Sequence, residues 1–130
     1  MTRAVLLVLL VTWSVVIPIY WISWFRNTPD LSARPVGYRE HEEAFLWPDA
    51  VLTALLATSG ALVVGDSDTG FDVALVAGGM MLFLGLLDLA YDVRNGVAGA
   101  AASRLRPLAE DLAIAVSAVA VIGLALSSAP

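Results

Sequence analysis

Four long apolar runs, separated by short polar segments, dominate the hydrophobic pattern of the chain. A helix rises 1.5 Å per residue, so about 20 apolar residues are enough to cross the hydrocarbon core of a bilayer. Each run has roughly that length. The pattern predicts an all-α, single-domain bundle of four transmembrane helices. The predicted spans are residues 4–25, 46–64, 71–91 and 107–127.

Composition supports a membrane protein. Hydrophobic residues make up 59% of the 130 residues and charged residues 15%, whereas soluble domains contain about 45–50% and 25%. The first run is longer than a signal-peptide core and lacks a small-x-small cleavage site, so we expect a retained helix. The excess of acids over bases, with net charge −5 and no lysine, fits either a high-GC coding bias or a salt-loving host.

Arginines are distributed unevenly between the connections. The segments 26–44 and 92–106 carry six of the seven basic residues, and the seventh is Arg3. By the positive-inside rule these two segments are cytoplasmic and both termini face outward. We therefore expect a multi-pass protein of the prokaryotic cell (plasma) membrane, oriented N-out and C-out.

Several function classes find no support in the sequence. There are no cysteines, which excludes disulfide and thiolate chemistry. No basic stripe is present to meet nucleic-acid phosphates. Phosphate-binding loops and nucleophile elbows are also absent. We expect no cofactor, no nucleic-acid partner and no catalytic constellation.

Three carboxylates are explained by helix starts. Asp49 follows Pro48, and Glu110 and Asp111 follow Pro107. Proline suits the first helical position, and carboxylates in the first turn interact favourably with the helix dipole and the free N–H groups. A structural role is the simpler interpretation of these three residues.

Asp88 and Asp92 are harder to explain. They lie near the carboxyl end of the third span, where the helix dipole is negative, and they share a face because they are four residues apart. A carboxylate here needs a partner outside its own helix. Asp88 and Asp92 belong to a stripe of residues at helical spacing, and this stripe should face the other helices. The stripe is Ala74, Gly78, Met81, Gly85, Asp88 and Asp92.

Two interpretations of Asp88 remain open. In the structural one, Asp88 pairs with an arginine or accepts backbone N–H groups that open span two or four. In the functional one, Asp88 lines a small polar cavity with Asp49 and Tyr91 and binds a proton, a cation or a ligand headgroup. The following "DVRNG" is typical of a helix stop, with a left-handed cap at Asn95–Gly96 and Arg94 favourable to the dipole.

A further candidate lies in "GYREHEEAFLWP", which predicts a short interfacial helix with an Arg39–Glu43 pair at i,i+4. His41, the only histidine, stands beside Glu42. A metal site using His41 and Glu42 is chemically possible. Neighbouring helical residues point in different directions, so a solvated charged face is the preferred interpretation.

The "WPD" that opens span two, the Gly-rich third span ending in "LDLAYDVRNG" and the length of 130 residues together resemble small uncharacterised prokaryotic four-helix integral membrane proteins. The resemblance covers the middle half of the chain. It implies the fold and no particular activity.

Three functional hypotheses follow. The leading one is a non-catalytic accessory or scaffold module that holds membrane lipid or a partner membrane protein, or that forms a homo-oligomer. The alternative is a small oligomeric transporter or channel in which Asp88 binds a proton or cation. The third, a membrane enzyme acting on a lipid-like substrate near Asp49, Asp88 and Tyr91, lacks an evident nucleophile.

Overall fold

The structure, a computed structural model, describes residues 2–27, 30–32, 34–95 and 105–128. These residues form five helices. Four helices are long and apolar enough to cross a membrane, which confirms the predicted all-α fold with four helices of membrane-spanning length. The helices are α1 (Thr2–Asn27), α2 (Tyr38–Ala44), α3 (Leu46–Val64), α4 (Thr69–Arg94) and α5 (Leu105–Ser128).

The four long helices form a ring in which each one packs against two neighbours. α1 packs against α3 and α5, and α4 packs against the same two helices. The short α2 lies against α3. The centre of the ring is filled by branched aliphatic side chains and one methionine. The largest of its fully buried apolar side chains are Leu6, Leu10, Leu56, Val63, Met81 and Val121.

The outer surface of the ring is apolar as well. Val8, Phe83 and Val116 are each more than 60% exposed, and only 17–33% of each spanning window is buried inside the bundle. A soluble protein rarely exposes so much contiguous apolar surface, whereas lipid tails cover it without cost. The arrangement is that of a multi-pass membrane protein.

The contact between α4 and α5 depends on glycine. A Cβ atom at Gly78 would lie 2.7 Å from Ile122 Cγ1, and one at Gly85 would lie 2.9 Å from Ile114 Cγ2. Ala74 and Met81, on the same face, are also buried. The prediction that this stripe faces neighbouring helices is confirmed, and its two glycines meet α5.

A matched pair of substitutions tests this close contact. We expect Gly78→Val to lower the free energy of unfolding by about 1–3 kcal/mol, because added methyl groups would overlap Ile122 and Val121. The neighbouring Gly79 has nothing within 4 Å of its Cβ position, so Gly79→Val should change stability by less than about 0.5 kcal/mol. SDS titration in mixed micelles measures both variants, and equal losses would contradict the packing described.

Pro48 and Pro107 lie later in their helices than the first position predicted for them, while α3 itself matches the predicted span 46–64. α3 begins at Leu46 and α5 at Leu105, so Pro48 and Pro107 are each the third helical residue. Proline is tolerated throughout the first turn because those N–H groups have no intrahelical partner. Asp49 remains in the first turn. Glu110 and Asp111 lie beyond it, so the free N–H groups of the helix start do not explain them.

α4 ends at Arg94, within the predicted helix stop, and Asn95 caps it. Asn95 donates from both its backbone N–H (2.9 Å) and its side-chain amide (2.8 Å) to the Tyr91 carbonyl. Its φ of −94° is not left-handed, so the left-handed position of the predicted Asn95–Gly96 cap is not Asn95. Gly96 lies outside the described residues.

Ionic contacts show which helix ends lie together. Arg3, at the start of α1, pairs with Asp66 in the α3–α4 turn and donates to the Val63 carbonyl. Ser59 in turn donates to the Gly70 carbonyl across that turn at 2.8 Å. The carboxyl ends of α1 and α4 and the amino ends of α3 and α5 therefore meet at the opposite end of the bundle. The carboxylates that the sequence analysis singled out lie at that end.

Candidate functional site

A cavity of about 450 Å³ lies at that end of the bundle. Side chains from all five helices line it, together with Arg34 from the α1–α2 connection. We call it the acidic cavity because of the carboxylates on its walls. They are Glu42, Asp49, Asp88, Asp92, Glu110 and Asp111.

Helical spacing brings these groups to the cavity. Gly85, Asp88 and Asp92 follow each other at three and four residues on α4, so they occupy one face. On α5, Asp111 and Ile114 are likewise three residues apart and both line the cavity. Because α3 and α5 start where α1 and α4 end, acids from separate parts of the chain converge.

Asp88 is paired with a histidine rather than with an arginine or with backbone N–H groups. His41 Nε2 lies 3.1 Å from Asp88 Oδ1. The imidazole also stacks on the Tyr91 ring, with 3.5 Å between centroids and an interplanar angle of 8°. Tyr91 thus supports His41. Tyr91 is not among the described residues that line the cavity. These contacts attach α2 to the carboxyl end of α4.

Two other carboxylates are oriented by aromatic residues of α1. The Tyr20 hydroxyl donates to Glu42 Oε2 at 2.7 Å, and Trp21 Nε1 donates to Asp49 Oδ2 at 2.9 Å. Hydrogen bonds of 2.7–2.9 Å to a carboxylate are among the stronger hydrogen bonds in proteins. Each fixes the direction of its acid toward the cavity.

Asp92 and Asp111 are in a different situation. Asp92 is 3% exposed and Asp111 is 5% exposed, whereas aspartate is almost never fully buried in soluble proteins unless it is paired. Asp92 Oδ1 and Asp111 Oδ2 have no hydrogen-bond partner in the described part of the chain. Buried polar oxygens are normally paired, so these two mark the part of the cavity with unused acceptor capacity.

Positive charge on the cavity wall is scarce. Arg34 is the one arginine lining the cavity in the described part of the chain, and its guanidinium carbon lies 4.9 Å from the centre of the Tyr38 ring. One guanidinium cannot balance six carboxylates. Buried charges of one sign repel and lack the solvation that water would give. The cavity therefore favours protons or cations.

The deeper wall of the cavity is apolar. It contains aromatic and aliphatic side chains from α1, α3 and α4, and its composition resembles that of small-molecule sites, in which a few polar groups orient a mostly apolar ligand. These residues are Trp13, Ile17, Leu52, Met81 and Leu84.

The less favoured metal site is not formed. Within residues 2–27, 30–32, 34–95 and 105–128, no three His, Asp or Glu side chains are grouped closely enough to hold a metal ion. His41 contacts Asp88 and Glu42 contacts Tyr20. Arg94, the remaining candidate, is exposed at the end of α4.

Sequence reasoning missed Glu42 as a cavity residue, and also Tyr20, Trp21 and Arg34. A signal for Glu42 was available. Tyr38, Glu42 and Phe45 recur at spacings of four and three, which places them on one helical face, and all three line the cavity. The predicted short helix and its Arg39–Glu43 pair, at 3.2 Å, are confirmed.

No protein-family model matches the chain, and no curated protein or solved structure matches it either. The geometry of the acidic cavity is therefore the basis for a functional proposal.

Proposed function

We propose that this multi-pass membrane protein binds a cation in the acidic cavity and works as a small transporter or channel. One observation carries the proposal: among the described residues, six carboxylates and a single arginine surround a cavity between helices of membrane-spanning length. Ionisable groups in such a position are expensive to bury and commonly mark ion or substrate pathways. Asp88 belongs to this group of acids but does not act alone.

The arginines support an orientation for the cavity. Arg26, Arg34, Arg39 and Arg94 lie at its end of the bundle, and Arg3 lies at the other. By the positive-inside rule we place the acidic cavity on the cytoplasmic side of a prokaryotic cell membrane, with both termini outside. Trp47, which is exposed at the same end, suits the headgroup level.

A second proposal is the non-catalytic accessory or scaffold module, whether as a homo-oligomer or with lipid or a partner protein. The exposed Gly79 and Gly123, which have open space at their Cβ positions, support it because small residues let another helix approach closely. This role requires nothing of the cavity acids. Neutralising them should then leave function unchanged, which separates the two proposals.

Calorimetric titration of the protein in lipid nanodiscs tests cation binding. The probes are Na⁺, Mg²⁺, ammonium and butylammonium at constant ionic strength. We expect saturable binding of at least one probe, and the variant Asp49→Asn/Asp88→Asn should bind at least tenfold more weakly because both acids line the cavity. Uptake of the same cation into proteoliposomes should fall in parallel.

The matched control is Asp68→Asn/Asp72→Asn. These two exposed acids lie at the opposite end of the bundle, around the start of α4, and their removal changes net charge equally. It should leave affinity unchanged. Absence of saturable binding for all four probes, or an equal loss in the control variant, would overturn the proposal.

A further inference from the structure

Five of the six carboxylates of the acidic cavity divide into two groups. Asp88, Asp49 and Glu42 have protein partners within 3.1 Å. Asp92 and Asp111, on α4 and α5, are at least 95% buried, and each keeps an oxygen that no described residue meets with a hydrogen bond. Leaving such an oxygen unpaired costs free energy. These two acids are therefore the ones that a ligand must satisfy.

The missing partner has to donate hydrogen bonds and carry positive charge. Arg34 makes no ion pair within 4 Å of either acid among the described residues, and it lies over the Tyr38 ring instead. A bare metal ion is disfavoured because no three potential ligands come together in the described chain. An ammonium group has three N–H donors on one atom and can satisfy two carboxylates at once.

The size and lining of the cavity describe the rest of the ligand. Its volume of about 450 Å³ far exceeds the roughly 30 Å³ of a water molecule or ammonium ion and lies in the range of small-molecule sites. The apolar wall begins at Ile114, one turn from Asp111 on α5, and at Leu84, about two turns from Asp92 on α4, and continues to Met81 and Trp13. A ligand that fills this space has an apolar body.

From these contacts we infer that the ligand of the acidic cavity is an amphiphilic primary or secondary amine. Its ammonium group donates to Asp92 and Asp111, and its apolar body lies against Leu84, Met81 and Trp13. The inference rests on the proposed function and names the class of cation. It distinguishes amines from quaternary ammonium ions, which have no N–H to donate.

Four probes of related structure test the inference in nanodiscs: hexylammonium, ammonium, hexyltrimethylammonium and hexanol. We expect hexylammonium to bind at least tenfold more tightly than each of the other three. Ammonium lacks the apolar body, hexyltrimethylammonium lacks the N–H donors, and hexanol lacks the charge. Trp13 and Trp21 line the cavity, so tryptophan fluorescence provides a second readout. Empty nanodiscs give the correction for partition into lipid.

Variants assign the ammonium position. Asp92→Asn and Asp111→Asn should each weaken hexylammonium binding at least tenfold, whereas Asp72→Asn at the other end of the bundle should have no effect. Circular dichroism and elution volume establish that each variant is folded. Where a variant fails to fold, the relative affinities of the four probes for the wild-type protein still decide whether the ligand is an amine.

The outcomes separate this inference from the proposed function. Equal affinities for ammonium and hexylammonium, or for hexyltrimethylammonium and hexylammonium, would overturn the amine assignment and leave cation binding intact. Full affinity in Asp92→Asn and Asp111→Asn would likewise overturn it. No binding of any cation would overturn both.

Discussion

Replacing Asp92 and Asp111 together by leucine is expected to raise the free energy of unfolding of the ligand-free protein by about 1–4 kcal/mol. Both side chains are buried, and each has an oxygen without a partner among the described residues. Replacement of incompletely paired buried charges by apolar side chains removes their desolvation cost and their mutual repulsion. The cavity leaves room for the added methyl groups.

SDS titration in mixed micelles, followed by tryptophan fluorescence, measures this change. Asp68→Leu/Asp72→Leu is the control, since both acids are exposed at the start of α4, and it should lower stability by about 1 kcal/mol per site at most, the contribution of a carboxylate at a helix start. A loss of stability in the Asp92/Asp111 variant would show that these acids hold the fold together. They would then be structural contacts and not groups kept for a ligand.

At Asp88 the expected effect has the opposite sign. Asp88→Ala and His41→Ala should each lower the free energy of unfolding by about 1–3 kcal/mol, since each removes the 3.1 Å hydrogen bond. His41→Ala also removes the stacking on Tyr91, which is worth about 0.5–1.5 kcal/mol. Asp88 is thus a structural contact as well as a cavity wall.

A double-mutant cycle isolates the contact between the two side chains. We expect a coupling energy of about 0.5–3 kcal/mol between Asp88→Ala and His41→Ala. The same cycle on Arg39 and Glu43, whose side chains are about 40% exposed, should give about 0.2–1 kcal/mol at most. Additive losses at Asp88 and His41 would contradict the geometry of α2 on α4.

The fold could be predicted from the sequence because the bilayer dictates so much of it. The length of each apolar run follows from the thickness of the hydrocarbon, and antiparallel alternation then brings Asp49, Asp88 and Asp111 to one end. The stripe of small residues on α4 predicted a close helix neighbour. Gly78 and Gly85 have one, in α5.

The partners of the acids could not be predicted in the same way. His41 and Asp88 are 47 residues apart, and their contact depends on how a seven-residue helix docks onto the bundle. No periodicity encodes that docking. The sequence suggested an arginine, or the backbone N–H groups that open span two or four, as the partner of Asp88, but Arg26 and Arg94 are exposed at the helix ends, where their charge remains solvated.

Which of Asp88 and Asp92 is the more deeply buried could not be predicted from the sequence either. Both lie on one face of α4, and the sequence directed attention to Asp88 because leucines surround it. In the structure Asp92 is the more buried, at 3% exposure.

The most direct test of the central claim, that Asp92 and Asp111 are kept for a cation, is the free energy of unfolding measured against hexylammonium concentration. Wild-type stability should rise with ligand, by about 2.7 kcal/mol at one hundred times the dissociation constant. The Asp92→Leu/Asp111→Leu variant should start higher and stay constant. The claim would be contradicted if the wild-type free energy of unfolding did not change with amine concentration and the leucine variant were less stable than the wild type.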